Sequence, residues 1–229
     1  GDLYRYCING ELRVADPASR FQPEGVHGPS QVVDLAGYTW QHPWQGRPWH
    51  EAVIQELHVG VLGGYEGVSS HLHRIASTGI TAIELMPISQ FPGTRNWGYD
   101  GVLPYAAQHN YGTPEQLCSL VDQAHGHGLM VMLDVVYNHF GPDGNFLHEY
   151  ASSFFREDRQ TPWGAAIDFR RPEVREYFIQ NALMWICDYR IDGLRLDAVH
   201  AIDQPDFLKE LAKRVRETVE PGRHVWLVL

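Results

Sequence analysis

Arg190-Ile191-Asp192-Gly193-Leu194-Arg195-Leu196-Asp197-Ala198-Val199-His200 is the stretch on which the reading of this chain turns. With the two-residue period of a strand, Gly193, Arg195 and Asp197 point to one side and Leu194 and Leu196 to the other. One face therefore carries two opposite charges near the strand's C-terminal end. A guanidinium favours the charged form of a neighbouring carboxylate more than partial burial disfavours it, so Asp197 reads as a permanent anion. Held low in a pocket, such an anion can attack a carbon or stabilise positive charge developing there. A lone Arg-x-Asp is more often an ion pair that fastens a strand to its neighbour, and other segments decide between the two.

Outward from that strand the chain alternates strand and helix from residue 51 onward. Val53–Val59 and Thr81–Met86 are strand patterns, the second stopped by Pro87, and Gly67–Ser77 between them carries Val68, Leu72, Ile75 and Ala76 at helical spacing. A helix from Pro114 to His125 follows, with Thr113 as N-cap, Pro114 at the first helical position and Gly126 and Gly128 at its end. Leu129–Val136 is a third, strongly apolar strand. A long aromatic-rich loop leads to a helix from Pro172 to about Asp188; the opening stretch is strand four, 203–219 a further helix, and His224–Leu229 strand five. This spacing demands parallel strands with right-handed crossovers, in a doubly wound sheet or a (β/α) barrel. No glycine-rich phosphate loop follows the first strand, which favours the barrel. The expected fold class is thus α/β, a (β/α)8 TIM barrel of which the first five strands are present, the chain being cut inside the barrel.

Residues 1–50 have another character. Tyr4–Ile8 and Glu11–Val14 alternate around Asn9-Gly10, a strong hairpin signal, and Asp16-Pro17, Gln22-Pro23, Gly28-Pro29 and His42-Pro43 follow without helical periodicity. We expect 1–50 to be the end of an N-terminal β-sandwich domain plus a linker, and 51–229 to be the first part of the barrel. The chain has 44% hydrophobic and 20% charged residues, enough for a real core, and a net charge of −10, which argues against nucleic-acid and anionic-membrane partners. Cys7, Cys118 and Cys187 lack metal-ligand spacing and cannot all pair within one chain, pointing to a reducing, cytoplasmic setting. There is no signal-peptide pattern and no apolar run long enough to span a bilayer. Tryptophan and tyrosine recur in polar, glycine-rich stretches such as Asn96-Trp97-Gly98-Tyr99 and Pro162-Trp163-Gly164, as a sugar-binding surface would need.

A barrel gathers its functional groups at the C-terminal ends of its strands. That rule collects His58, Glu84 to Pro87, Asp134-Val135-Val136-Tyr137-Asn138-His139, and Arg195 with Asp197, joined by Asn96-Trp97-Gly98-Tyr99-Asp100 from the loop after strand two. Each has a plain structural explanation; together they put polar and aromatic groups from distant segments on one rim. Asp134–His139 with Gly193–Asp197 resembles the paired signature of the α-amylase family of glycoside hydrolases, in the right order and on the right strands. Asn96–Val102, Asn138–Asn145 and Asp192–Ile202 look most like the malto-oligosyltrehalose trehalohydrolase branch of that family. So do Asp16–Arg20 and Gly25–Ser30, so the resemblance covers essentially the whole chain.

The resemblance implies that Asp197 is the nucleophile and that Arg195 holds it ionised and oriented. Tyr99 would stack on the sugar, His139 would hydrogen-bond its hydroxyls, Asp134 and Asn138 would brace the rim, and Trp97 and His200 would complete the substrate site, with no metal and no cofactor. The substrate would be a malto-oligosaccharide or malto-oligosyltrehalose, cleaved with retention. A retaining glycosidase needs a second carboxyl about 5 Å from the first. The resemblance places it, a glutamate, at the end of strand five, just beyond Leu229, so the 229 residues alone are expected to be inactive. His200-Ala201 departs from the lysine-histidine that many amylases carry there, and Val61–Tyr65 departs from the trehalohydrolase pattern after strand one. The rival activities are a glycogen branching enzyme and an inactive, amylase-like binding module.

Overall fold

The computed structural model describes residues 1–229. Its central sheet has five parallel strands, β1 (Ile54–Leu57), β2 (Ala82–Leu85), β3 (Met130–Val135), β4 (Gly193–Leu196) and β5 (Trp226–Val228). They lie in the order β5-β4-β3-β2-β1, each beside its predecessor in the chain. A doubly wound sheet reverses strand order at a switch point, whereas this sheet never does; its ordering is that of a barrel wall, and the fold is α/β of the TIM-barrel type.

The two faces of the sheet do different things. Ile83, Leu85, Val131, Leu133, Leu194 and Leu196 join the main core with residues of the surrounding helices, such as Leu117, Val121, Phe178 and Leu211. The helices are α1 (Gly64–Ser69), α2 (Leu72–Ser77), α3 (Pro114–Gly126), α4 (Pro172–Leu183) and α5 (Pro205–Thr218). On the opposite face Ala82, Met130 and Met132 form a separate small cluster, against which Trp44, Trp226 and Val228 pack. Gly193 lies between Met132 and Trp226 in the ladder. A Cβ there would stand 2.6 Å from Met132 Cε and from the Trp226 carbonyl oxygen, so only glycine lets methionine fill this layer. One layer higher Arg195 stands in register with Asp134, and charge replaces methionine.

Local signals explain most element ends. Thr113 Oγ1 accepts from Gln116 N (3.3 Å) while Gln116 Oε1 accepts from Thr113 N (2.8 Å), a reciprocal cap ahead of Pro114. Three expectations are corrected. The single helix over Gly67–Ser77 is two short helices. Ser70 Oγ donates to the Gly67 carbonyl (2.7 Å), and His71 Nδ1 approaches the same oxygen (2.8 Å), so side chains compete for helical hydrogen bonds at the break. The helix from Pro172 is α-helical only to Leu183 and continues as a π-helix over Met184–Asp188. The aromatic-rich loop contains an antiparallel hairpin, Phe155–Thr161 with Gly164–Ile167.

Near the N-terminus, Tyr6–Ile8 pairs with Leu12–Val14 around Asn9 and Gly10, both left-handed (φ 52° and 81°) as the turn requires. The proline-rich stretch is fastened to the barrel helices and the foot of the sheet. Asp122 of α3 accepts from Gln41 N (2.9 Å) and His42 N (3.0 Å), and Arg47 Nε donates to the Gly128 carbonyl (2.9 Å). Trp44 stacks on His125 at 4.8 Å and donates from Nε1 to Asp192 Oδ1 (2.8 Å). Asp192, fully buried, accepts further bonds on Oδ2 from Val131 N (2.8 Å) and His125 Nε2 (2.9 Å). A buried carboxylate is tolerated because its oxygens are partnered in this way.

Candidate active site

Asp134, Arg195 and Asp197 meet at the C-terminal end of the sheet because β3 and β4 are hydrogen-bonded neighbours in the register that sets Arg195 beside Asp134. Arg195 Nη1 donates to Asp134 Oδ2 at 2.8 Å and to Asp197 Oδ1 at 2.7 Å, so one nitrogen ties both carboxylates. The chain then turns sharply. Ala198, directly after Asp197, is left-handed (φ 44°, ψ 42°), a conformation without compensation in an alanine side chain, and strain of this kind is held where the surrounding fold demands it.

The loop after β2 supplies the third wall. Tyr99 Oη donates to Asp134 Oδ2 at 2.7 Å. Gly98, before it, has φ +102° and a Cβ position 2.0 Å from the Pro87 carbonyl oxygen, so the backbone can lie on Pro87 only as glycine. Asn96 closes the turn by accepting from Gly98 N (2.7 Å) and donating to Asp100 Oδ2 (2.6 Å). His58, after β1, accepts from Val61 N on Nδ1 (3.1 Å), which leaves Nε2–H to donate to the Asn96 carbonyl (2.9 Å). Its work is to hold this loop.

His139 Nε2 donates to the Tyr99 carbonyl at 2.9 Å, and its Nδ1 is buried without a partner. Burial lowers its pKa, which keeps the ring neutral near pH 7 with an open lone pair on Nδ1. Asn138 is likewise buried, with both side-chain amide atoms unpartnered. Asp134 is 2% exposed and its carboxyl is raised to about 6. Desolvation is the main cause and the Asp197 charge adds to it, while the bonds from Tyr99 and Arg195 pull the other way. Glu84 is also raised, by burial and then by the Asp134 and Glu56 charges. Glu56, Glu84 and Asp134 can bring carboxylate oxygens within 4.8 Å of one another, with Arg195 as the neighbouring cation. Asp134, deep and fully engaged on Oδ2, orients Arg195 and Tyr99.

Trp97, 73% exposed, and His200, also exposed, stay outside this hydrogen-bonded cluster. The residue that the motifs did not mark is Trp163. At the tip of the 155–167 hairpin it stacks on His139 with centroids 4.7 Å apart and planes 14° apart, and remains 45% exposed. The only sequence signal for it was an aromatic residue between Pro162 and Gly164.

No helix is long and apolar enough to cross a membrane. The family model for the alpha amylase catalytic domain matches residues 29–164. Malto-oligosyltrehalose trehalohydrolase of Saccharolobus solfataricus is 46% identical over 88% of this chain and 37% of its own length. The enzyme of the same name from Deinococcus radiodurans is 43% identical over 99% of this chain and 38% of its own. A crystal structure of a Salmonella typhimurium protein, provisionally assigned as an alpha amylase, superposes with a TM-score of 0.95 at 44% identity, covering 98% of this chain and 40% of the other. The chain thus spans well under half the length of the relatives it matches. The carboxylate pair shared by one arginine, the strand order and these matches agree: the chain belongs to the α-amylase family, with residues 29–164 matching its catalytic domain.

Proposed function

We propose that the protein of which this chain is the catalytic core's first part is a retaining glycoside hydrolase that cleaves the α-1,4-glucosidic bond joining trehalose to a malto-oligosaccharide. The observation that carries the reading is the fixed Asp197 carboxylate. Oδ1 is bound to Arg195 Nη1, while Oδ2 has no protein hydrogen bond and is the oxygen that attacks the anomeric carbon. Arg195 keeps that carboxylate ionised and oriented for attack, and Asp134 orients Arg195 from below. Tyr99, fixed by its bond to Asp134, offers its ring to the sugar being cleaved. The unpartnered Nδ1 of His139 and the amide of Asn138 are buried beneath the rim and suit an enclosed water, while Trp163 and Trp97 offer aromatic faces to the chain of glucoses. The trehalose part of the reading rests on the names of the relatives at 43–46% identity.

The mechanism needs a general acid about 5 Å from Asp197. Val228 is in register with Arg195, so the position two residues beyond Val228 along β5 is level with Asp197 on the adjacent strand. Neighbouring strands lie about 4.8 Å apart, which fits that requirement. The proposal places the acid there, on an eight-stranded barrel closed by further strands, with residues 1–50 as the end of a preceding β domain. Three unpaired thiols suit a cytoplasmic setting. The test is to incubate the full-length protein with maltosyltrehalose and with amylose. Trehalose release from the first is expected, and D197N is expected to lower it by at least about a thousandfold without altering the circular dichroism spectrum. Release that survives D197N, or chain transfer on amylose without trehalose release, refutes the assignment.

A further inference from the structure

The hairpin that carries Trp163 has an apolar foot and a polar arm. Phe155, Ala166 and Ile167 are buried, but Glu157–Gln160 and Pro162–Gly164 are exposed, so hydrophobic packing does not hold the arm down. A single carboxylate does. Asp203, in the segment between β4 and α5, pairs with Arg159 Nη1 at 2.7 Å and with Arg156 Nη1 in still closer contact. Its side chain is 15% exposed and that of Arg156 is 14% exposed, so the Arg156 pair is better shielded than an ordinary surface ion pair, while Arg159, 42% exposed, adds a second and more solvated tie. Arg156 also binds Asp158 within the arm, at 2.7 and 2.9 Å. Arg170, at the foot, lies close enough to Arg156 for their charges to oppose each other. Without Asp203 the arm keeps only the Arg156–Asp158 pair, Arg170 at the foot stays bound to Asp168, and the arm loses the one anion that ties it to the next βα loop.

We propose that Asp203 is a positioning residue for the sugar-binding cleft. By holding Arg156 and Arg159 it seats Trp163 on His139, and so sets where the aromatic face stands for substrate. This rests on the glucan-cleaving reading above. It adds a link between the loop after β3, which carries the tryptophan, and the loop after β4, which follows the nucleophile. Asp203 touches neither substrate nor the reacting atoms, and its whole effect passes through the hairpin.

The test uses the full-length protein with maltosyltrehalose and the variants D203N, D203E, W163A and D203N/W163A. D203N is expected to raise KM about tenfold, the equivalent of losing one aromatic contact, with kcat changed less than about threefold. D203E should restore most of the affinity, and D203N should add nothing further once Trp163 is alanine. A purely structural role would leave the KM penalty of D203N unchanged in the W163A background, and that result overturns the proposal. A second measurement stands apart from activity. The emission of Trp163, taken as the difference between the protein and W163F, should shift to longer wavelength and become more accessible to acrylamide in D203N, as the ring leaves its stack on His139. Unchanged emission overturns the proposal even if the variant is stable, and a parent protein that releases no trehalose counts against the activity assignment alone, because the emission change still decides the role of Asp203.

Discussion

Replacing Asp134 by asparagine should stabilise this protein near neutral pH. Asp134 is almost fully buried and its carboxyl sits at about 6, against an ordinary value of 3.8. Between those values the folded chain holds a proton at this position that the unfolded chain has lost. Stability therefore falls as pH rises from about 4 through about 6, and the cost is fully present above that window. The shift of about 2 units, at about 1.4 kcal/mol each, amounts to about 3 kcal/mol as an upper figure. Other groups act oppositely. Asp122 and Asp168 are lowered in the fold and lose stabilisation as pH falls through the acid range, and His139, also lowered, costs stability below about pH 6.5 because the unfolded imidazole then takes up a proton. The quantity to measure is therefore the difference between D134N and the parent. Asparagine can still accept from Tyr99 and Arg195 through its carbonyl, so the geometry survives while the ionisation cost is removed. Urea unfolding at pH 4.0, 5.0, 6.0 and 7.5 should give stabilities that diverge in favour of D134N as pH rises, by about 1–3 kcal/mol at the top. A difference that is flat with pH, or that grows toward acid, would refute the reasoning. It would mean that Arg195 and Tyr99, not burial, control this carboxyl.

Two further substitutions probe how the site is carried. Trp44→Phe keeps the stack on His125 but leaves buried Asp192 Oδ1 without its donor, and should cost about 1–3 kcal/mol in urea unfolding; no loss would mean that the clasp at the foot of the sheet is dispensable. Gly98→Ala meets both the positive φ and the Pro87 carbonyl, and should cost about 1–3 kcal/mol. In the full-length protein it should also lower kcat/KM by displacing Tyr99, and wild-type kinetics would show that the Tyr99 loop is not rigidly seated on Pro87.

The sequence by itself determined the parts that depend on near neighbours. Period-two alternation put Leu194 and Leu196 on the helix-facing side and Gly193 and Arg195 on the other, and Thr113-Pro114 started α3 where the cap chemistry requires it. It also named Asp197, Arg195, Asp134, Tyr99 and His139 as one group, through motifs whose spacing along the chain mirrors strand order. Tertiary structure alone decided what those residues do to one another. Periodicity could not tell that a single nitrogen of Arg195 serves two carboxylates, because that follows from the β3–β4 register. Nor could it tell that Asp134 is braced by Tyr99 or that His58 holds the Asn96 loop. The hairpin with Trp163 was hidden because its arm is charged and exposed, so no apolar alternation marks it. What seats it is an ion pair to Asp203, more than forty residues away in the chain, and a contact between residues so far apart leaves no trace in local pattern.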